Sequence, residues 1–507
     1  MQARTLALRA HSISVPACAS AVTTHCGRFE TVVSRRGFLA KSAFGFGALA
    51  LAHLEAAADS SRARFTQRTP NGESADPLTP KPPHFPATAR SVIFLFMTGG
   101  PSHLETFDPK PLLRKLDGQP LPASFDPEGL SLQFMKATDG KLMASPFPFE
   151  RHGQSGLEIS SLFPNLARHA DRLAVIRSCY HESFIHGPAI AYLSTGSLLL
   201  GHPSVGAWVT YGLGCESDNL PAYMVLSDGG FRGGNVMYQS GFLPAVYQGT
   251  VLRDEGVPIQ NLAPPPQLTR AEQRLVLDQV QQWNDRHQVS RPGDSRLEAR
   301  IANYELAFRM QTAAPELIDL SHETRVTREL YGVDHEPTAR FGRMCLLARR
   351  MVERGVRYIQ LINNDWDGHS ECAGNHKTNA AHIDQPIAAL LSDLHRRGLL
   401  DTTLVVWTGE FGRTPVMQGN KGRDHSPYGF TTWMAGGGVV GGKVIGATDD
   451  LGFRAVTDKV HVHDLHATML SLLGLDHERL TYLFEGRQRR LTDIGGQNNL
   501  AERLTKA

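Results

Sequence analysis

The sequence alternates between short, continuous apolar runs and longer segments in which apolar residues recur every three or four positions. Continuous runs of this length fit strands that are buried on both faces of a parallel sheet. The spacing in the longer segments predicts amphipathic helices over 341–353 and 383–397, each followed by a glycine that can end it. The predicted strands lie at 91–97, 173–176, 223–226, 358–362 and 404–407. Strands that alternate with helices in this way predict an α/β fold.

Proline-rich stretches divide the chain into segments. Residues 59–89 are polar and rich in proline, which predicts a linker. The predicted α/β domain covers 90–490, and residues 491–507 are assigned to a C-terminal tail. Three prolines at 264–266 interrupt the domain, and two helical patterns follow them, so we predict a helical insertion at about 264–335.

Residues 1–58 have the pattern of an export signal. Arg35 and Arg36 begin it, a weakly apolar run rich in Gly and Ala spans 42–52, and three alanines at 56–58 suit a cleavage site. The paired arginines resemble a bacterial twin-arginine signal. The apolar run is too short for a bilayer core of about 30 Å, so no stable transmembrane anchor is expected after cleavage. We therefore predict export by the twin-arginine (Tat) machinery, to a periplasmic or secreted location.

The charge balance argues against polyanionic partners. The chain has 52 Lys and Arg against 50 Asp and Glu, a formal net charge of +2. Strong nucleic-acid binding requires clustered basic side chains, and none follow the N-terminal segment, so no nucleic-acid partner is expected. Six cysteines in 507 residues do not predict a disulfide scaffold.

Polar side chains follow four of the predicted strands where these strands end, which is where open α/β sheets bind their ligands. Asp365, Asp367 and His369 stand within five residues of one another. Imidazoles with carboxylates are ligands for Zn²⁺, Mn²⁺ or Fe, although aspartates are also common in turns without any metal. The other candidates come from separate segments: His103 and Asp108, Ser183 and His186, Glu410 and Arg413, and Asp424 and His425.

The order of these clusters resembles the alkaline phosphatase/sulfatase superfamily, and most closely its sulfatase-like branch DUF1501. Residues 186–196 resemble the sulfatase segment that carries the nucleophile, and 403–412 resemble the strand and turn that carry a metal-binding Asp. Gly-Arg-Asp-His at 422–425 and Ala-Thr-Asp at 447–449 are typical of the DUF1501 branch, while 464–468 resemble the closing helix. The resemblance implies an alkaline-phosphatase-like three-layer α/β/α sandwich with a mostly parallel central sheet and a helical insertion.

Three departures from the sulfatase pattern change what the resemblance implies. His186 stands where sulfatases have a nucleophilic Cys, Ser or Thr. Gly409-Glu410 replaces an Asp-Asn pair, and Thr98-Gly99 stands where the first-strand metal Asp belongs. A formylglycine mechanism is therefore not expected. The same fold is still expected to carry carboxylates and imidazoles at the carboxyl ends of its strands.

Each candidate has a predicted role. His186 is a candidate nucleophile or metal ligand, because phosphohistidine chemistry allows the first and a neutral imidazole the second. Ser183 is a second candidate nucleophile, or only a turn serine. Arg413 is a candidate clamp for an oxyanion, or else the partner of a salt bridge that orders its loop. The predicted metal ligands are His103, Asp365, Asp367, His369, Glu410 and His425.

These features predict an exported, metal-dependent hydrolase of sulfate or phosphate esters. The expected cofactor is a divalent metal ion, Zn²⁺, Mn²⁺ or Ca²⁺, which would polarise the ester. The expected substrate is a sulfated or phosphorylated small molecule or polysaccharide. The alternative is a non-catalytic protein that binds a carbohydrate or an anion on the same fold, since a fold does not fix a function.

Overall fold

The structure, a computed structural model, describes residues 77–506 apart from 254–258, 260–261, 263–266 and 290–294. All described residues belong to one compact unit, Glu73–Ala507. The predicted export signal and most of the predicted linker lie outside the described residues, and the segment bounds given above stay predictions. None of the helices within the described ranges has the length and apolar character needed to cross a membrane.

The central feature is a nine-stranded sheet, with two-stranded hairpins beside it. The strands are β1 Ser91–Met97, β2 Phe149–His152, β3 Leu157–Ser160, β4 Ala174–Tyr180, β5 Tyr223–Ser227, β6 Thr250–Leu252, β7 Tyr358–Asn363, β8 Thr403–Thr408, β9 Gly412–Gln418, β10 Gly422–Ser426, β11 Phe430–Ala435, β12 Lys443–Ile445, β13 Ala447–Thr448, β14 Ala455–Thr457, β15 Val460–His461, β16 Tyr482–Phe484 and β17 Arg487–Arg489. The α-helices are α1 His103–Thr106, α2 Pro111–Lys115, α3 His186–Thr195, α4 Val205–Leu213, α5 Arg270–Val289, α6 Ser295–Ile318, α7 Arg325–Tyr331, α8 Ala339–Glu353, α9 Cys372–Arg396, α10 Val462–Leu472 and α11 Ala501–Thr505.

The sheet is mostly parallel. Its order is β12-β4-β11-β8-β1-β7-β5-β6, with β15 also paired to β4. Strand β1 is parallel to both β7 and β8, and β5 is parallel to β7 and β6. Strand β11 is antiparallel to both of its neighbours, β4 and β8. The carboxyl ends of β4, β8, β1, β7 and β5 therefore meet at one edge, where polar side chains from different segments can converge.

Helices cover both faces of the sheet because its central strands are apolar on both sides. Ile93 and Leu95 of β1 pack into one core cluster together with residues of α8 and α9. Val92 and Phe94 pack into a second cluster with residues of α3, α4 and α10. Successive side chains of a strand point to opposite faces, so a fully buried β1 requires a helical layer on each side. The result is a three-layer α/β/α arrangement.

The predicted α/β fold is confirmed, and all five apolar runs form strands of the central sheet. The second predicted helix begins earlier than expected, at Cys372. Its first turns were missed because they carry polar residues: the Asn375 and Asn379 side chains donate hydrogen bonds to the Asp365 carbonyl. Helices α5, α6 and α7 occupy the region of the predicted insertion. Near the C-terminus, Leu504 is buried in the second core cluster.

Candidate metal centre

Four ligating side chains converge at the carboxyl edge of the sheet. Asp367 and His369 lie in the loop that follows β7. His186 is the first residue of α3, which follows β4, and His425 belongs to β10 of the hairpin that follows β8. One nitrogen of each imidazole and one carboxylate oxygen all lie within 4.8 Å of one another.

The contacts of this cluster centre on the Asp367 carboxylate. Its Oδ1 lies 3.0 Å from His369 Nε2 and 3.4 Å from His425 Nε2. Its Oδ2 lies 3.2 Å from His186 Nε2. The two nitrogens His369 Nε2 and His425 Nε2 are themselves 2.9 Å apart. Three Nε2 atoms and one carboxylate thus surround a common point.

The opposite nitrogen of each ring faces a hydrogen-bond acceptor. His186 Nδ1 lies 2.6 Å from Glu410 Oε1, His369 Nδ1 lies 2.7 Å from Gln418 Oε1, and His425 Nδ1 lies 2.8 Å from the Phe184 carbonyl. An acceptor at Nδ1 assigns the proton to that nitrogen, and the Nε2 lone pair is then directed inward. Metal-binding histidines are characteristically held this way, by an acceptor behind the ring.

Inward-facing lone pairs require a positive charge between them. His369 Nε2 and His425 Nε2 repel each other at 2.9 Å if both carry lone pairs, and His186 Nε2 is buried without a hydrogen-bond partner in the described structure. A cation satisfies all three atoms at once. Three imidazoles with one carboxylate suit Zn²⁺ or Mn²⁺ better than Ca²⁺, which prefers oxygen ligands. The residues present therefore fit a divalent transition-metal ion.

The protonation of His425 and Asp367 agrees with this role. Burial lowers the pKa of His425 to about 4, and the contact with Asp367 offsets only part of that shift. Burial acts to raise the pKa of Asp367, but the three imidazoles and Arg413 hold it far below its usual range. Burial lowers the pKa of His186, and the adjacent Asp367 and Glu410 raise it by more. Both carboxylates thus stabilise positive charge at the centre.

Glu410 supports the centre from behind His186. The structure places its carboxylate against Nδ1 of His186, and not among the converging atoms, so its predicted role as a direct ligand is not what the geometry shows. Its side chain is fully buried and accepts a second hydrogen bond from the Gly99 backbone at 2.9 Å. Burial raises the pKa of Glu410, and the bonds from His186 and Gly99 lower it by more, so it stays ionised.

Arg413 holds the cluster in place. Its Nη2 donates to Asp367 Oδ1 at 2.6 Å, its Nε donates to the Gly100 carbonyl at 2.9 Å, and another bond reaches the Gly99 carbonyl. The side chain is fully buried, and these bonds occupy the Nε and Nη2 donors with which it would bind an oxyanion. Of the two predicted roles, the geometry supports the salt bridge that orders the loop. Gly99 has φ +113°, and a Cβ there would lie 2.6 Å from the Asp367 backbone nitrogen, so glycine is required.

Three further predicted residues do not join the cluster. His103 is buried on the short helix α1, and its Nε2 lies 2.9 Å from the Gly452 carbonyl. Asp365 is exposed, has φ +71°, and is not among the four converging residues. The Ser183 hydroxyl donates to the Ile185 carbonyl at 3.3 Å, as a turn serine does. The structure therefore does not bring His103 and Asp365, both predicted as metal ligands, to the four converging residues.

Residues that the sequence did not identify also contact the centre. Arg232 Nη2 donates to Asp367 Oδ2 at 2.5 Å. Phe134 packs edge-to-face on His369, with 4.9 Å between the ring centroids, and Gln418 orients the same histidine. Arg232 follows strand β5, so the rule applied to the other strand ends would have found it. Nothing in the sequence pattern singles out Phe134 or Gln418.

Comparisons with known proteins find one family and several solved structures. The family "Protein of unknown function (DUF1501)" matches residues 89–504. No curated protein matches the chain. Among solved structures, a sulfatase from Pseudoalteromonas sp. is 14% identical, with 77% of this chain and 68% of that one covered and a TM-score of 0.33. An alkaline phosphatase superfamily protein from Vibrio parahaemolyticus is 10% identical, with 79% and 70% covered and a TM-score of 0.34.

Proposed function

The chain belongs to the DUF1501 family, and from that premise and the geometry of the centre we propose that it is a metal-dependent hydrolase of sulfate or phosphate esters. The observation that carries the proposal is the arrangement of three histidines around Asp367. Each presents Nε2 to a common point while an acceptor holds its Nδ1. Such a set costs stability unless a cation satisfies it, which favours a function that uses the cation.

The charges around the centre favour an anionic substrate. Asp367 and Glu410 contribute two negative charges, and Arg232 and Arg413 contribute two positive ones. These four charges balance, so the charge of a bound divalent ion remains to attract a sulfate or phosphate ester. When bound, that ion supplies Lewis acidity, which polarises an ester oxygen and makes a water molecule more acidic.

We assign His186 to metal binding and not to nucleophilic attack. Its Nδ1 is held by Glu410 at 2.6 Å, and its Nε2 faces Asp367 at 3.2 Å, so neither nitrogen is directed toward a substrate. The Ser183 hydroxyl is turned to the Ile185 carbonyl. Within the described part of the chain, no hydroxyl or thiol forms a hydrogen bond with the four converging residues. Water is therefore the proposed attacking group.

A second candidate function is binding of a carbohydrate or anion without turnover. It is favoured because no hydroxyl or thiol of the described residues is hydrogen-bonded to the converging residues and could serve as a nucleophile.

The substrate class proposed for the hydrolase is a sulfated or phosphorylated small molecule or polysaccharide. Export to the periplasm or beyond is part of the proposal, and it rests on the sequence around Arg35 and Arg36.

Metal analysis and an esterase assay test the proposal together. We expect the purified, folded protein to hold close to one equivalent of Zn²⁺ or Mn²⁺ and to hydrolyse nitrophenyl sulfate or nitrophenyl phosphate. His369→Ala should lose both properties, because it removes one ligand from a shared centre. The matched control is His322→Ala, whose imidazole is 82% exposed on the surface. Metal and anion binding without turnover by the wild type would favour the binding protein, and failure to hold any metal would refute the hydrolase.

A further inference from the structure

Arg232 is placed to bind something besides Asp367. It lies in residues 228–234, a loop after β5 in which four glycines flank Phe231 and Arg232. The start of the loop is fixed, because the Asp228 carboxylate accepts a hydrogen bond from the Asn364 backbone at 3.0 Å. The Arg232 side chain is 34% exposed and uses only Nη2 to reach Asp367. Its other donors form no hydrogen bond among the described residues, and the planar guanidinium matches two oxygens of a sulfate or phosphate.

Phe134 is an exposed aromatic ring that also borders the centre. It is 58% exposed, although its backbone is fixed by a hydrogen bond of 2.8 Å from its nitrogen to Asp424 Oδ2. Its ring meets the His369 ring at 88° and lies 6.1 Å from the His425 ring. A single exposed phenylalanine is ordinary on a protein surface. One that packs directly on two metal-binding histidines offers an apolar surface to whatever approaches them.

The two residues contact different members of the centre. Arg232 approaches Oδ2 of Asp367, whereas His369, on which Phe134 packs, approaches Oδ1. Both residues thus contact members of the cluster in which the three Nε2 atoms converge. A ligand that binds at this centre therefore has a cation and an aromatic ring beside it.

We propose that Arg232 and Phe134 determine which ester this centre accepts. Arg232 binds the non-bridging oxygens of the sulfate or phosphate group, and Phe134 packs against a ring in the alcohol part of the ester. The substrate class is thus an anionic ester of a ring-bearing alcohol, either a sugar or a phenol. This inference rests on the proposed function, and it adds which residues touch the substrate and what they recognise.

Kinetics with three ester types test the role of Phe134. The probes are glucose sulfate, nitrophenyl sulfate and ethyl sulfate, together with the corresponding phosphates. Phe134→Ala should raise KM for the esters that contain a ring by about twofold to tenfold, the range of a lost ring contact, and change ethyl esters less. The glucose and nitrophenyl arms show whether the ring is a sugar or an aryl group. Tyr304→Ala is the control, because Tyr304 is 44% exposed on helix α6.

Binding of inorganic sulfate and phosphate tests Arg232 without any turnover. Calorimetry on the metal-loaded protein should show about tenfold to hundredfold weaker binding for Arg232→Gln, and partial recovery for Arg232→Lys. Arg325→Gln is the control, since its side chain is 84% exposed and pairs with Glu329 on the surface. Metal content should stay unchanged in Arg232→Gln and Phe134→Ala.

The outcomes separate this inference from the proposed function. Equal effects of Phe134→Ala on ring-bearing and ethyl esters would overturn the role of Phe134. Unchanged anion binding in Arg232→Gln, or loss of its metal, would assign Arg232 to holding Asp367 and overturn its substrate role. A wild type that binds the anions and ring-bearing esters without hydrolysing them would refute the hydrolase. Calorimetry with the ring-bearing and ethyl esters would then replace KM in the test of Phe134, and losses of binding in the variants would still support both residues.

Discussion

Glu410→Gln tests how much the centre depends on a carboxylate that does not touch the metal. Glu410 Oε1 accepts hydrogen bonds both from His186 Nδ1 at 2.6 Å and from the Gly99 nitrogen at 2.9 Å. A glutamine in the same rotamer keeps an oxygen at that position, so both hydrogen bonds can persist. The substitution then removes the negative charge and leaves the shape of the site.

The expected loss of metal affinity is about tenfold to a hundredfold, the range seen when an acceptor behind a metal-binding histidine is changed. This corresponds to roughly 1.4–2.8 kcal/mol, because each tenfold step is about 1.4 kcal/mol. The physical reason is that a charged acceptor makes the imidazole a stronger donor to the ion than a neutral one does. Full burial of Glu410 keeps solvent from screening that effect.

The assay is competition for Zn²⁺ between the protein and a chelator of known affinity. The control is Glu329→Gln, which makes the same chemical change on a surface glutamate that is 48% exposed. Circular dichroism on both variants reports whether the fold is intact. A folded Glu410→Gln protein with the affinity of the wild type would refute the idea that the acceptor behind His186 tunes the metal centre.

Three further predictions concern stability, pH and export. Leu95→Ala removes a fully buried side chain from the middle strand of the sheet, and chemical denaturation should show a loss of about 2–5 kcal/mol; a loss under about 1 kcal/mol would contradict the packing described. Burial raises the pKa of Glu105 and its pair with buried Arg423 lowers it by more, so folding stability from this pair should be present above pH 4.5 and be lost as pH falls below it. Urea titrations between pH 3 and 6 give the free energy of unfolding at each pH. This free energy should depend less steeply on pH in Glu105→Gln than in the wild type, and an unchanged dependence on pH would count against the pair. Changing Arg35 and Arg36 to lysine should leave the precursor in the cytoplasm, and periplasmic accumulation in cell fractionation would contradict the export signal.

The apolar runs predicted the sheet because burial on both faces leaves little choice of side chain. Strand β1 is buried along its whole length, and its continuous apolar sequence shows this directly. Strand β11, with the sequence Phe-Thr-Thr-Trp-Met-Ala, was missed because two threonines interrupt its apolar pattern. Its antiparallel direction was equally invisible, since strand direction depends on how the hairpin β9–β10 returns the chain to the sheet.

The strand-end rule identified all four converging residues, but it did not separate them from their neighbours. Asp367 and Asp365 are equivalent in the sequence pattern, yet only Asp367 lies among the converging residues, while Asp365 is exposed. Glu410 follows β8, as predicted, but His186 lies between its carboxylate and the point where the Nε2 atoms converge. Sequence therefore predicted which loops meet, while the order of atoms within the cluster required the three-dimensional structure.

The hydrogen bonds that build the centre join parts of the chain that are far apart in sequence. His186 and Glu410 are 224 positions apart, Phe184 and His425 are 241 apart, and Gly99 and Glu410 are 311 apart. Closing loops of this length costs entropy that only the assembled sheet repays. A partly folded chain consequently lacks the centre, and tight metal binding begins only with the last stages of folding. Release of the ion and unfolding of the sheet should then form one cooperative transition, because the ion binds only the folded chain and so stabilises it.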